Sequence, residues 1–449
     1  MSFRRILGIA SGMALVLGLV VATPAAASHL SCGQVITAST TLDADLFCPS
    51  GDGLVIQGDG ITLNLNSHTI RGELDSRQVT QAGGTGDNGQ IGAPYTVRFA
   101  KGQFAGVRIK GNRNIVAGRG GVRNFAAGIV IEGGSANTVT RVTVEENFGP
   151  PGSDDLGDGI VVLDSTGNQI TANTVRNNGP FDGIVLLGGA GRNVIRANLI
   201  VDNRQPEICP TFDLFRFSVS GGGIVHVCGP THPTQPPFAF INQQNHGVKL
   251  EGLGPNASYE NIISGNTITG NGNTGVFIPS TCPDFGPGAA CQGAFNRDNI
   301  ITGNQINRNG FGYPAGRPSV QLFEGPGNGG SGITLMIGGP NPPIRQTVTN
   351  NTVNDNAKNG IAVVAHRPGN PATMSTFIGN TALRNNVVPF GGPAFNGQDG
   401  NAVVNPSAPC DANVWRNNNF GSTLADIGGP VPPNNLTNHS CVGPMLPAP

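Results

Sequence analysis

The sequence predicts an all-β chain wound as a single-stranded parallel β-helix, a solenoid built from short strands. Three observations carry that reading. Strands of the form Gly-apolar-x-apolar recur at Gly106, Gly128, Gly159, Gly183, Gly223, Gly247, Gly275, Gly332 and Gly360, with a degenerate copy at Gly400. Many of them are followed by asparagines five residues apart, as in Asn168, Asn173, Asn178 and again in Asn261, Asn266, Asn271. The composition, with 69 Gly, 34 Pro and 12% charged residues, supplies many tight corners and few long helices.

An apolar residue flanked by turn formers every five positions is too short a pattern for a helix and too regular for a loop. Each unit reads as a strand of about three residues bent at both ends, and three such strands close one coil. The steps from Gly106 to Gly128 and from Gly159 to Gly183 span 22 and 24 residues, which sets the coil length. Asparagine suits the bends because it tolerates left-handed backbone and bonds locally, and stacked copies can form amide ladders inside the body. Val and Ile at matching positions stack into apolar columns, the main source of stability.

In chain order, residues 1–27 read as a secretory signal peptide. Arg4 and Arg5 precede an apolar run from Ile6 to Ala22, and the triplet Ala25, Ala26, Ala27 ends in a cleavage site. No later stretch is long and apolar enough to span a bilayer, so the expectation is a secreted chain with no stable membrane insertion. Residues 28–52 are expected to form an N-terminal cap over an otherwise open end. Residues 53–405 make the β-helix, opening with GLVIQGDGITLNLNSHTIRG from Gly53, and 406–449 form a C-terminal cap or tail. Removing the signal takes two arginines, leaving 24 basic against 27 acidic residues, a balance that argues against a nucleic-acid partner. The eight cysteines fall into sequence-local pairs that suit an exported disulfide framework: Cys32 with Cys48, Cys209 with Cys228, Cys282 with Cys291, and Cys410 with Cys441.

The repeat, and the stretch GLVIQGDGITLNLNSHTIRG in particular, resembles the exported right-handed parallel β-helix proteins of pectate-lyase-like fold, including the NosD-like and mannuronan-epimerase-related groups. The resemblance implies a right-handed helix over most of the chain. It leaves activity open, because the superfamily holds lyases, hydrolases, epimerases and non-catalytic adhesins. The Asp-Pro-His motif associated with the epimerases is absent. A polygalacturonase-like set is out of order, with Asp154 and Asp155 adjacent, His246-Gly247 downstream and Arg108-Ile109-Lys110 upstream.

Candidate chemistry comes from where the repeats are interrupted. Insertions lie just before the Gly strands (148–156, 204–220, 311–331, 387–398) and just after them (229–244, 279–297, 338–346, 367–375). Loops at both corners of one strand per coil would wall a groove along the sheet of Gly strands, a place to lay an extended polymer. The residue before each Gly forms a column reading Ala105, Ala127, Asp158, Asp182, Gly222, His246, Thr274, Ser331, Asn359, Asp399. Asp158 and Asp182 fall one coil apart, close enough to split their pKa values or to share a cation.

Asp155, Asp158, Asp182, His246 and Lys249 are therefore the candidate catalytic residues. Asp154, Asp158 and Asp182 are candidate Ca2+ ligands, and Arg108, Lys110, Glu251 and Phe277 are outward neighbours expected to touch substrate. The expected function is a polysaccharide lyase or glycoside hydrolase working on an extended glycan. A non-catalytic carbohydrate-binding or adhesion solenoid is the alternative, and a phage-tail-like or adhesin trimer a third reading; the sequence leaves the oligomeric state open.

Overall fold

The computed structural model describes residues 29–73, 91–92, 96–97, 105–148, 157–179, 181–204, 207–209, 218–220, 223–225, 239–241, 245–252, 256–280, 295–311, 330–337, 341–365, 373–387, 395–400, 410, 412–428 and 436–445. These residues form three long parallel sheets that run the length of the body. Sheet 1 has eleven strands from Gln34–Ile36 to Gly397–Gln398, sheet 2 has eleven from Thr40–Thr41 to Val414–Arg416, and sheet 3 has nine from Leu46–Cys48 to Thr352–Asn354. The coils up to the one ending at Thr352–Asn354 give one strand to each sheet, and the strands pair in parallel from coil to coil, as in Ile160 with Ile184 and Ile184 with Val248. Residues 34–48, read above as part of the N-terminal cap, carry one strand of each sheet and stack on the coil that begins at Gly53.

The interior follows from the period-two pattern. Ile160, Val162, Ile170 and Val175 point inward in one coil and stack on Ile184, Leu186, Ile195 and Ile200 in the next, all fully buried. Each such side chain contributes about 1.5–3 kcal/mol relative to exposure. The asparagines form ladders at all three corners. The backbone N–H of Asn168 donates to Asn193 Oδ1 at 2.9 Å, Asn173 to Asn198 at 2.9 Å, and Asn178 to Asn203 at 3.2 Å. Side-chain amides repeat the same links, as from Asn193 Nδ2 to Asn261 Oδ1 at 3.0 Å.

One detail differs from expectation. The left-handed residue is not the ladder asparagine but the one before it: Ala172, Asn177, Arg192, Ala197 and Asp202 all have φ between 54° and 57°. Glycine takes that place before Asn168, Asn266, Asn304 and Asn380. The asparagine is kept for its amide, and its predecessor absorbs the unfavourable backbone. The strand-opening glycine is required for a different reason. A Cβ at Gly159 would lie 2.5 Å from Gly183 O and 2.6 Å from a Val175 methyl, so the corner closes only on a residue without a side chain.

Two repeats proposed from sequence lie outside the solenoid. Gly223–Val225 pairs antiparallel with Ser218–Ser220, and Glu207–Cys209 pairs antiparallel with Ala239–Ile241, both within the insertion. At the C-terminal end it is Gly397, not Gly400, that continues sheet 1, in register with Ile361. Gly222 and Asp399 therefore leave the column, and His246 follows Asp182 directly. Cys32 is joined to Cys48 with Cα atoms 5.4 Å apart, and Cys410 to Cys441 at 6.3 Å. The other two pairings fall outside the described residues, as does the side chain of Cys209. No helix among the described residues is long and apolar enough to cross a membrane.

Candidate functional site

The candidate site lies on the outer face of sheet 1, where side chains alternate with those of the core. Val185, Lys249 and Phe277 point outward between inward residues such as Ile184, Val248 and Val276. This face is covered rather than open: Asp158, Asp182, His246, Lys249 and Phe277 are all at most 3% exposed. The column before the glycines is tied to the backbone. Asp158 Oδ1 accepts the N–H of Asp182 at 2.7 Å, and Asp182 Oδ1 accepts the N–H of His246 at 2.9 Å.

The side chains of the next two coils complete the cluster. The His246 ring stacks on Phe277 with centroids 4.4 Å apart, and Lys249 Nζ lies 2.6 Å from Glu251 Oε2. Asn273 Oδ1 accepts the backbone N–H of Gly330 at 2.9 Å, which turns its amide nitrogen toward His246 Nε2 at 3.4 Å. Burial raises the Asp182 carboxyl above its ordinary range; nearby His246 and Lys249 and the backbone hydrogen bond oppose that rise, while Glu251 adds to it.

The structure does not bring every candidate together. Arg108 and Lys110 belong to the Gly106 coil, four coils before Lys249, and apart from Glu132 the outward positions between them are the buried apolar Val130, Val161, Leu163, Val185 and Leu187. The Arg108 guanidinium is engaged by Asp52, with Nε to Oδ2 at 2.7 Å and Nη2 to Oδ1 at 3.1 Å, and by Glu132 at 3.3 Å. Asp52 Oδ1 also takes the N–H of Ala105 at 2.7 Å, so this group fastens two coils together. Lys110 is half-exposed, 3.8 Å from Glu132. Asp154 and Asp155 lie outside the described residues.

Among the described residues, the one group of three side chains spaced to hold a metal is Cys410, His439 and Cys441, whose two sulfurs are joined to each other. Sequence reasoning missed Asn273, which orients His246, and the Asp52 and Glu132 partners of Arg108. An asparagine two residues before a strand glycine was the available signal for the first. The others depend on register, which a 53-residue step between coils conceals.

The sequence profile of the right-handed β-helix region matches residues 38–232 and 245–387. The chain belongs to this right-handed β-helix family. No curated protein matches the sequence significantly. Among solved structures, the Dettilon tailspike protein is 14% identical, with 88% of this chain and 61% of that one covered and a TM-score of 0.46. This chain therefore spans about three-fifths of the tailspike's length. An alginate lyase from Paenibacillus sp. is 13% identical over 78% of this chain and 86% of that one, with a TM-score of 0.37. The catalytic domain of an α-1,3-glucanase is 13% identical over 80% and 58%, with a TM-score of 0.38.

Proposed function

We propose that this is an exported, glycan-active β-helix that acts on a polysaccharide lying along sheet 1, by lyase or hydrolase chemistry. The observation that carries the reading is the buried run of titratable groups Asp158, Asp182 and His246 on successive coils, with Lys249 and Glu251 beside it. A carboxyl raised by burial holds its proton into the range where a general acid works, and a second carboxylate one coil away supplies the base or nucleophile. His246 would relay a proton, and Lys249 would offset developing negative charge. Asp155 would join them from the adjoining loop. Ca2+ would bind at Asp154, Asp158 and Asp182, and activity that survives EDTA would remove it from the scheme. Lys110, Glu251 and Phe277 would contact sugar units flanking the reacting bond.

The test is a panel of acidic and neutral polysaccharides scored for unsaturated products and new reducing ends. Asp158→Asn and Asp182→Asn each lower turnover by about 10²–10⁴-fold, because an amide accepts the same backbone N–H but holds no acidic proton. Full activity in both variants would refute the assignment.

A second reading is favoured by one observation: each aspartate gives an oxygen to the backbone N–H of the next coil. In that reading the column is corner scaffolding and the solenoid binds carbohydrate without turnover. Binding across the panel with no product from any substrate would decide for it.

A further inference from the structure

Sheet 1 continues beyond His246 and Phe277 to the coils that open at Gly332 and Gly360, and there two buried donors are unmatched. Lys358, at the corner before Gly360, is 7% exposed and has no ion pair among the described residues. Burial alone pulls its ammonium down to about 8. Lys249, also buried, has Glu251 at 2.6 Å. Asn359, the next residue, uses Oδ1 to accept the N–H of Phe395 at 2.8 Å, which leaves its buried Nδ2 without a partner. Thr334 points outward between the core residues Ile333 and Leu335, and its buried hydroxyl also has no partner. Its strand pairs directly with that of the Gly360 coil, Thr334 facing Ala362.

Buried donors left unsatisfied are costly, and two on adjacent coils, with a buried lysine that has no ion pair among the described residues next to one of them, are not an expected by-product of packing. We propose that Lys358, Asn359 and Thr334 form a recognition subsite for an oxyanion carried by the polymer, a carboxylate or a sulfate ester. An ammonium and an amide N–H can only donate, and the hydroxyl can rotate to donate as well, so the set selects an acceptor, and its positive charge selects an anion. The subsite lies three coils past His246, roughly 14 Å at about 4.8 Å per coil, so it reads a unit several sugars from the reacting bond. It offers selectivity for charge rather than a part in the chemistry.

This subsite rests on the glycan reading above, and the experiment separates the two. Titration calorimetry on the mature protein would use tetramers of galacturonate and of mannuronate, their carboxyl-reduced neutral counterparts, and a sulfated galactose tetramer. The wild type should bind at least one anionic oligomer tenfold or more tighter than the neutral ones, and which one binds distinguishes carboxylate from sulfate. Lys358→Met and Asn359→Asp should each lose that preference and keep neutral binding. Asn359→Asp retains the acceptor for Phe395, so the fold is preserved and only the donor is replaced. Asp182→Asn should keep the preference. An unchanged preference in either subsite variant, or an equal loss for neutral and anionic oligomers, overturns the subsite. Neutral oligomers bound as tightly as acidic ones by the wild type also overturn it while the glycan reading stands. Binding of no oligomer at all overturns both.

Discussion

Two stretches of the same sheet treat buried charge in opposite ways. Between Asp158 and Phe277 the outer face carries two aspartates, a histidine, a lysine and a glutamate; Lys249 meets Glu251, and each aspartate caps a backbone amide. Between Gly332 and Gly360 a buried amide nitrogen and a buried hydroxyl have no partner, and a buried lysine has no ion pair among the described residues. The backbone is the same in both, parallel strands in continuous register. What differs is whether the protein supplies its own counter-groups. A matched cluster is stable by itself, whereas an unmatched one is a standing cost that a ligand or a substitution can relieve.

The contrast can be broken by substitutions of opposite sign. Lys249→Met leaves Glu251 without its cation and should lower unfolding free energy by about 3 kcal/mol. Lys358→Met removes a buried ammonium that nothing offsets and should raise stability at neutral pH by up to about 3 kcal/mol. Denaturant titration of the two variants, read side by side, would erase the distinction if both shifted in the same direction. The pH profile sharpens it further. The Lys358 ammonium titrates near 8 in the folded chain and near 10.5 unfolded, so the unfolded chain binds the extra proton across that window. Stability contributed at this position therefore rises with pH between about 8 and 10.5, and the rise should vanish in Lys358→Met. The smallest effect sets the baseline. Arg345 is half-exposed and paired with both oxygens of Asp298 at 2.8 and 2.7 Å, and Arg345→Gln should cost less than about 1 kcal/mol in the same titration.

The architecture was legible because its determinants are local and periodic. Inward Val and Ile, corner asparagines and strand glycines recur often enough that register could be counted along the chain. Counting failed where the same motif serves another purpose. Gly223 opens a hairpin strand within the insertion, and Gly400 lies just past the true last strand, because a glycine before apolar residues suits any tight strand entry. Of the site, the stacking of Asp158 on Asp182 could be read from a 24-residue step, but the adjacency of Asp182 and His246 was hidden by a 64-residue one. Burial was not legible at all. Arg108 read as a substrate contact because arginine on an outward position is ordinarily exposed, and Lys358 read as nothing, since its distinction is burial without an ion pair among the described residues.

The corner ladders have a consequence for how such a body changes length. The asparagine rungs share one sense, with a ladder asparagine's backbone N–H pointing to the amide oxygen of the following coil, as from Asn137 to Asn168, Asn168 to Asn193 and Asn193 to Asn261. A coil is therefore an interchangeable link. Excising residues 159–182 would join Asp158 to Gly183 and present Asn193 to Asn137 in place of Asn168, with donor and acceptor still facing correctly. The rod would shorten by one increment of about 4.8 Å without a defect in any corner. The molecule can thus be graduated like a ruler, and the spacing between its matched and unmatched stretches is set by how many links separate them.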